Sequence, residues 1–181
     1  MAASNTQPQV HLLRYDGEEE ACRTRLDELV GDRFVVTHDR RVPAGRESIN
    51  HLAVTPGGIF VIDTKYYSGG LDKRNVGSIF RPDLRLYVGD RDCTTLVHDV
   101  EAQSEKVRDL LKIAGFADAP VRGVLCFIGA EWGFFGSPFK LGNVLVTHPK
   151  FLYRVLVKES DIATSAIQDA ARLLATVLPP A

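Results

Sequence analysis

A chain of 181 residues with 45% hydrophobic and 25% charged residues has the make-up of a globular protein with a core of its own, not of a disordered or fibrous one. Its formal net charge of −1 excludes a global basic field, so any nucleic-acid binding rests on a local patch. Three scattered cysteines, Cys22, Cys93 and Cys126, with no C-x-x-C pair, argue against a zinc framework and for reduced, buried thiols, and no apolar run reaches the roughly 18 residues of a membrane span.

The first residues, MAASNTQPQ, carry no apolar segment of the secretory kind and predict a disordered tail over 1–10, followed by one domain over 11–181 in a cytoplasmic protein. A helix is expected over 17–30, because Cys22, Leu26, Leu29 and Val30 recur on one helical face behind an acidic start. RFVVTHDRRV reads as a strand, and 47–65 as a β-hairpin around Pro56-Gly57-Gly58. A second hairpin is expected over 77–90, turning at Pro82-Asp83. A helix over 95–114 follows, with Leu96, Val100, Val107, Leu110 and Leu111 on one stripe. VRGVLCFIG, nearly all apolar, predicts a central strand buried on both faces. GNVLVTH reads as another strand, and helices over 149–157 and 162–178 close the chain. The order predicts an α/β fold, a mixed sheet with helices packed on its faces.

The first hairpin holds the chemistry. Side chains alternate along a strand, so Ile59, Val61, Asp63 and Lys65 share one face and Phe60, Ile62 and Thr64 the other. A four-residue loop over 55–58 pairs Val54 with Ile59, Leu52 with Val61 and Asn50 with Asp63, which brings Asn50, Asp63 and Lys65 to the open end. A three-residue Pro-Gly-Gly loop shifts the pairing by one and breaks this alignment. A carboxylate at Asp63, an oxygen opposite it at Asn50 and the Thr64 carbonyl suit a hard cation such as Mg²⁺, with Lys65 positioned for an attacking water or a phosphate. The plainer reading is a strand that reaches solvent, with Asp63 and Lys65 as an exposed ion pair.

The wider pattern decides which reading to follow. Ile49-Asn50-His51, the Pro56-Gly57-Gly58 turn, Asp63-Thr64-Lys65 and Tyr66-Tyr67-Ser68-Gly69 together resemble the hallmark segment of the nuclease-related domain (NERD) family. That family is similar to the restriction-endonuclease-like nucleases with a PD-(D/E)-x-K signature. VRGVLCFIGAEWGFFG and VLVTHPKFLYRVL extend the resemblance over roughly residues 15–160. It implies a restriction-endonuclease-like central mixed β-sheet flanked by α-helices, a Mg²⁺ or Mn²⁺ cofactor and DNA as partner. It implies catalytic roles for Lys65, Asp63, Glu19 and Gln103, and metal binding by Asp63, Asn50, Thr64 and Glu19.

Glu19 represents the glutamate that opens the family's first helix. Helical spacing puts Glu18 and Glu19 near the apolar stripe and turns Glu20 away. Gln103 matches a glutamine that related nucleases place beside the site, with Lys106 three residues on. Arg40, Arg41 and Arg46 precede the motif strand and are candidates for phosphate contacts; Trp132, Phe134 and Phe135 either form an aromatic lip for bases or fold back as core.

One departure matters. Where the family carries a strand aspartate, this chain has Asn50, which offers a carbonyl oxygen but no charge. The resemblance therefore implies a metal-dependent DNA phosphodiesterase, weakened or inactive at this position. The alternative is a non-catalytic module that binds nucleic acid or protein on a degenerate nuclease fold. The sequence leaves the oligomeric state open, a homodimer included.

Overall fold

In the computed structural model, residues 7–43, 48–133, 136–158 and 163–181 are described, with side chains from 17 onward. The elements are α1 (Gln7–Asp27), β1 (Val35–Arg41), β2 (Ser48–Thr55), β3 (Gly58–Asn75), β4 (Leu84–Val88), β5 (Arg91–Asp92), α2 (Thr94–Ile113), β6 (Val121–Trp132), β7 (Phe139–Leu141), β8 (Val144–Thr147), α3 (Pro149–Leu156) and α4 (Thr164–Val177). One sheet runs β1-β2-β3-β6-β8-β7, with β4 and β5 attached to the far end of β3. β3, β6 and β8 are parallel and the other pairs antiparallel, so the sheet is mixed. This is the restriction-endonuclease-like architecture.

Helices cover both sheet faces. On one, Val107 and Leu111 of α2 and Ile167 and Leu174 of α4 pack on Leu52, Val54, Ile59 and Val61. On the other, Leu26 of α1 and Leu152 and Leu156 of α3 pack on Ala53, Phe60, Ile62 and Cys126. The period-2 split of β3 therefore sorts its apolar residues between two cores. β6 sits between two parallel neighbours, and Val124, Leu125, Cys126 and Phe127 are all buried. The three cysteines are buried free thiols.

Two boundaries differ from the sequence reading. α1 already includes residues 7–10, part of the expected tail; residues 1–6 of that tail lie outside the described residues. The second hairpin is not self-contained over 77–90. Instead β3 runs on to Asn75 and pairs with β4, Leu71 with Val88 through Asn75 with Leu84. Asn75 explains why the strand stops there. Its Oδ1 accepts the N–H groups of both Gly77 and Asp83, at 3.0 and 2.9 Å, and draws the intervening residues into a turn.

Gly123 of β6 fixes how closely α2 lies on the sheet. A Cβ there would stand 2.9 Å from both Ser104 Oγ and Val100 Cγ1. Gly123→Ala is expected to force α2 outward and cost about 1–3 kcal/mol, the usual range for overpacking. A chemical-denaturation midpoint equal to that of the unchanged chain would show that the helix seat is not tight.

Candidate active site

The β2–β3 ladder has the register of the four-residue loop: Thr55 with Gly58, Val54 with Ile59, Leu52 with Val61 and His51 with Ile62. The ladder stops there, one step short of Asn50 and Asp63. The regular pattern ends here. Ile49 packs in the same core cluster as Leu52 and Val54, which strict alternation does not allow. The break lies opposite Asp39, whose φ of 49° takes β1 out of the extended region between the pairs His38–His51 and Arg40–Ile49. Asn50 consequently turns its amide toward β3, and its Oδ1 accepts the Thr64 N–H at 3.3 Å.

Asp63 is buried beside Leu125 of β6, and its Oδ1 accepts a hydrogen bond from Lys65 Nζ at 2.8 Å. Burial pushes the Asp63 carboxyl above its ordinary value, and the Lys65 ammonium pulls it part of the way back; Asp99 and Glu19 push it up further. Burial dominates because water is displaced from a carboxylate that keeps one cation for company. Directly after Lys65 the β3–β6 register shifts between Tyr66 and Gly69, and Gly69 adopts φ 123°. Such a bulge interrupts regular pairing beside the Asp63–Lys65 pair and re-aims the strand, whose pairing with β6 resumes at Gly69.

Thr64 points to the opposite face. Its hydroxyl donates to Glu19 Oε1 at 3.5 Å and lies 3.3 Å from His51 Nε2. Glu19 is half-buried and Glu20 exposed, in keeping with the helical spacing. A pocket of about 250 Å³ is lined by Glu19, Glu20, Arg23, Asp39, Asn50 and His51. It thus gathers Asn50 and Glu19 on the α1 side, while Asp63 and Lys65 pair outside its lining; Thr64 is the residue between the two groups. Among the described residues no three His, Cys, Asp or Glu side chains stand close enough to hold a metal by themselves.

Gln103 is buried on α2. Its Nε2 donates to the Ser48 carbonyl at 3.4 Å, while its Oε1 is buried with no hydrogen-bond partner. Lys106, three residues on, is half-buried. Arg40 has a structural attachment: its Nη1 donates to the Leu178 carbonyl at 3.4 Å, and its strand bridges to Pro180. Arg41 is exposed, and Arg46 lies outside the described residues. Trp132 packs against the rings of Phe139 and His148, which makes it part of the core margin; Phe134 and Phe135 lie outside the described residues.

Two neighbours of the site escape a motif-based reading. His51 is buried, and its Nδ1 lies 2.7 Å from His38 Nδ1, whose Nε2 lies 2.8 Å from Asp27 Oδ1. Burial and the neighbouring His38 lower the His51 pKa to about 4, so at neutral pH it is uncharged and serves as a hydrogen-bonding link to Thr64. The other is Asp99, whose charge acts on Asp63 from α2. The available signal for Asp99 was its spacing, four residues before Gln103 on one helical flank.

A mixed sheet flanked by helices, here with a buried Asp-x-Lys pair midway along a central strand, is the architecture of the restriction-endonuclease-like proteins. The chain belongs to the nuclease-related domain family, whose sequence model matches residues 13–128, well over half of it. No curated protein and no solved structure matches it significantly.

Proposed function

We propose that this domain is a divalent-metal-dependent DNA phosphodiesterase whose centre is weakened by Asn50. The observation that carries the reading is the ion pair of buried Asp63 with Lys65, at 2.8 Å, on the strand where the family has its Asp-x-Lys element. Isolated burial of a carboxylate is costly, so a fold that keeps one at this position has a use for its charge.

The donors fit a hard cation. Asp63 is a carboxylate held above its ordinary pKa by burial, and Gln103 offers a buried carbonyl oxygen without a partner. When bound, a Mg²⁺ or Mn²⁺ ion supplies Lewis-acid polarisation of a phosphate and a readily ionised water. The chain's own residues do the rest. Asp63 fixes the Lys65 ammonium, which faces the phosphate or the attacking water. Gln103 ties α2 to the start of β2 through the Ser48 carbonyl, and Glu19 holds Thr64 from the α1 side.

Plasmid nicking in Mn²⁺ tests the activity: slow cleavage by the natural chain, abolished by Lys65→Ala, is the expected result. No nicking under any divalent ion would favour the second reading, a non-catalytic nucleic-acid- or protein-binding module. A specific observation supports that second reading, because the Asn50 oxygen is already used by the Thr64 N–H.

DNA is the partner this reading requires, with exposed Arg41 as the described candidate for phosphate contact and Arg46 beside it in sequence. Arg41→Ala is expected to weaken duplex binding uniformly across sequences and to reduce the salt slope by about one. An unchanged slope would place the nucleic-acid surface elsewhere. Among the described residues no helix is long and apolar enough to cross a membrane. We place the protein in the cytoplasm and leave a homodimer as one possible assembly, to be read from its mass in solution.

A further inference from the structure

The missing charge at Asn50 has a candidate source on another element. α2 runs antiparallel to β6: Arg108 Nη2 donates to the Val121 carbonyl at the start of that strand, whereas Val100 and Ser104 sit over Gly123. Gly123 pairs with Val61 of β3, and Asp63 lies two residues further along. Two strand residues span about 6.6 Å. Nearly the same distance is covered by one turn of helix, about 5.4 Å. One turn back from Val100 and Ser104 toward the start of α2 is the level of Asp99. Asp99 is thus level with Asp63, on the α2 side of the sheet.

A second observation points to a ligand at the same place. Gln103, one turn after Asp99, is only 6% exposed, and its Oε1 has no partner. Helical side chains lean toward the helix N-terminus, which here is the Asp63 end of α2's seat on the sheet. The contact of Gln103 Nε2 with Ser48 fixes the amide at the start of β2, the end of that strand nearer Asp63. A buried carbonyl oxygen without a donor is costly, and a cation would remove that cost. The electrostatic influence of Asp99 on Asp63 agrees with this placement.

We propose that Asp99 and Gln103 complete, with Asp63, an all-oxygen site for a divalent cation, and that Asp99 supplies the second carboxylate that Asn50 lacks. The proposal rests on the nuclease reading for its purpose, and on the placement of α2 for its residues. Two carboxylates and one neutral oxygen balance the charge of a Mg²⁺ or Mn²⁺ ion and leave positions for water and phosphate. Asp99 is exposed and forms the open side of the site, where substrate enters. The carboxylate of Asp63 and the amide oxygen of Gln103 form its floor.

The test titrates the full chain with Mn²⁺ alone and reads the free ion by electron paramagnetic resonance. The chains compared are the natural one, Asp99→Asn, Asp63→Asn, Asn50→Asp and, as a charge control on the same helix, Asp109→Asn. The expected result is at least a tenfold loss of Mn²⁺ affinity in Asp99→Asn and Asp63→Asn, none in Asp109→Asn, with the melting temperature of metal-free Asp99→Asn not lowered. Binding that is lost in Asp63→Asn and unchanged in Asp99→Asn would overturn the proposal and leave the metal-dependent nuclease reading intact. No Mn²⁺ binding by either the natural chain or Asn50→Asp would overturn both.

Discussion

Asn50→Asp is expected to raise Mn²⁺ affinity at least tenfold, about 1.4 kcal/mol, and to convert weak or absent DNA nicking into clear metal-dependent cleavage. The substitution exchanges an amide for a carboxylate of the same shape. An aspartate oxygen still accepts the Thr64 N–H, so the β2–β3 junction keeps its bond. The new charge meets Glu19 across the shared pocket, with Asp63 next to Thr64 on the neighbouring strand. Without metal, these like charges are expected to cost on the order of 1 kcal/mol. For a domain of this size that is a drop of about 2–4 °C in melting temperature. Excess Mn²⁺ reverses the drop by binding only the folded chain, by about 2.7 kcal/mol at a hundredfold excess over Kd. Lys65→Ala in the Asn50→Asp background should keep the metal-dependent melting shift and lose the cleavage. A melt with and without Mn²⁺ beside a nicking assay reads both. If neither a metal-dependent shift nor cleavage is gained, Asn50 is not a lost acid and the non-catalytic module is the better reading.

The parts of this site that the sequence disclosed are those governed by local rules. The four-residue loop around Pro56-Gly57 set the pairing of Leu52 with Val61, and the observed register is the same one. Helical spacing turned Glu19 inward and Glu20 out, and Glu19 does reach Thr64. What lay hidden depends on contacts between distant elements. Strict alternation put Asn50 on the face of Asp63, but Asp39, in the left-handed region on the neighbouring strand, breaks that alternation, and no period-2 count of β2 contains Asp39. Alternation along β2 would turn His51 away from Asn50, whereas both line one pocket, with His51 hydrogen-bonded to Thr64. Asp99 is an ordinary exposed helix acid until the seat of α2 on Gly123 places it level with Asp63. The second hairpin shows the same limit in the fold: the sequence pattern ends the strand near Lys65, while its pairing with β4 carries it to Asn75.

Lys65→Met should expose the cost of keeping Asp63 buried, and the cost should depend on pH with a definite sign. In the natural chain the Asp63 carboxyl titrates above its ordinary value of 3.8, because burial outweighs the help from Lys65. The ionised form therefore weighs against the fold. The stability that Asp63 contributes is fully present below 3.8 and is lost as pH rises through its folded value. Removing Lys65 removes the two influences that lower that value, its charge and its hydrogen bond. Asp63 then titrates higher still, and the loss at neutral pH deepens. Both side chains are mostly shielded, at 9% exposure for Asp63 and 29% for Lys65, so water replaces the lost partner only in part. The expected penalty at pH 7 is about 2–4 kcal/mol, near the lower end of what breaking a buried pair costs. It should shrink toward zero as pH falls and Asp63 takes up a proton. Asp63→Asn in the same background removes the charge that lost its partner and should recover most of the stability at pH 7. The comparison is between variants at each pH, so contributions common to both, such as that of His51, cancel. Denaturant unfolding of the natural chain, Lys65→Met and the double variant between pH 4 and pH 8 measures it. A Lys65→Met penalty that stays constant over that range, or one that Asp63→Asn does not relieve, would mean that the Asp63–Lys65 pair is a solvated surface contact and not the charged centre of a nuclease site.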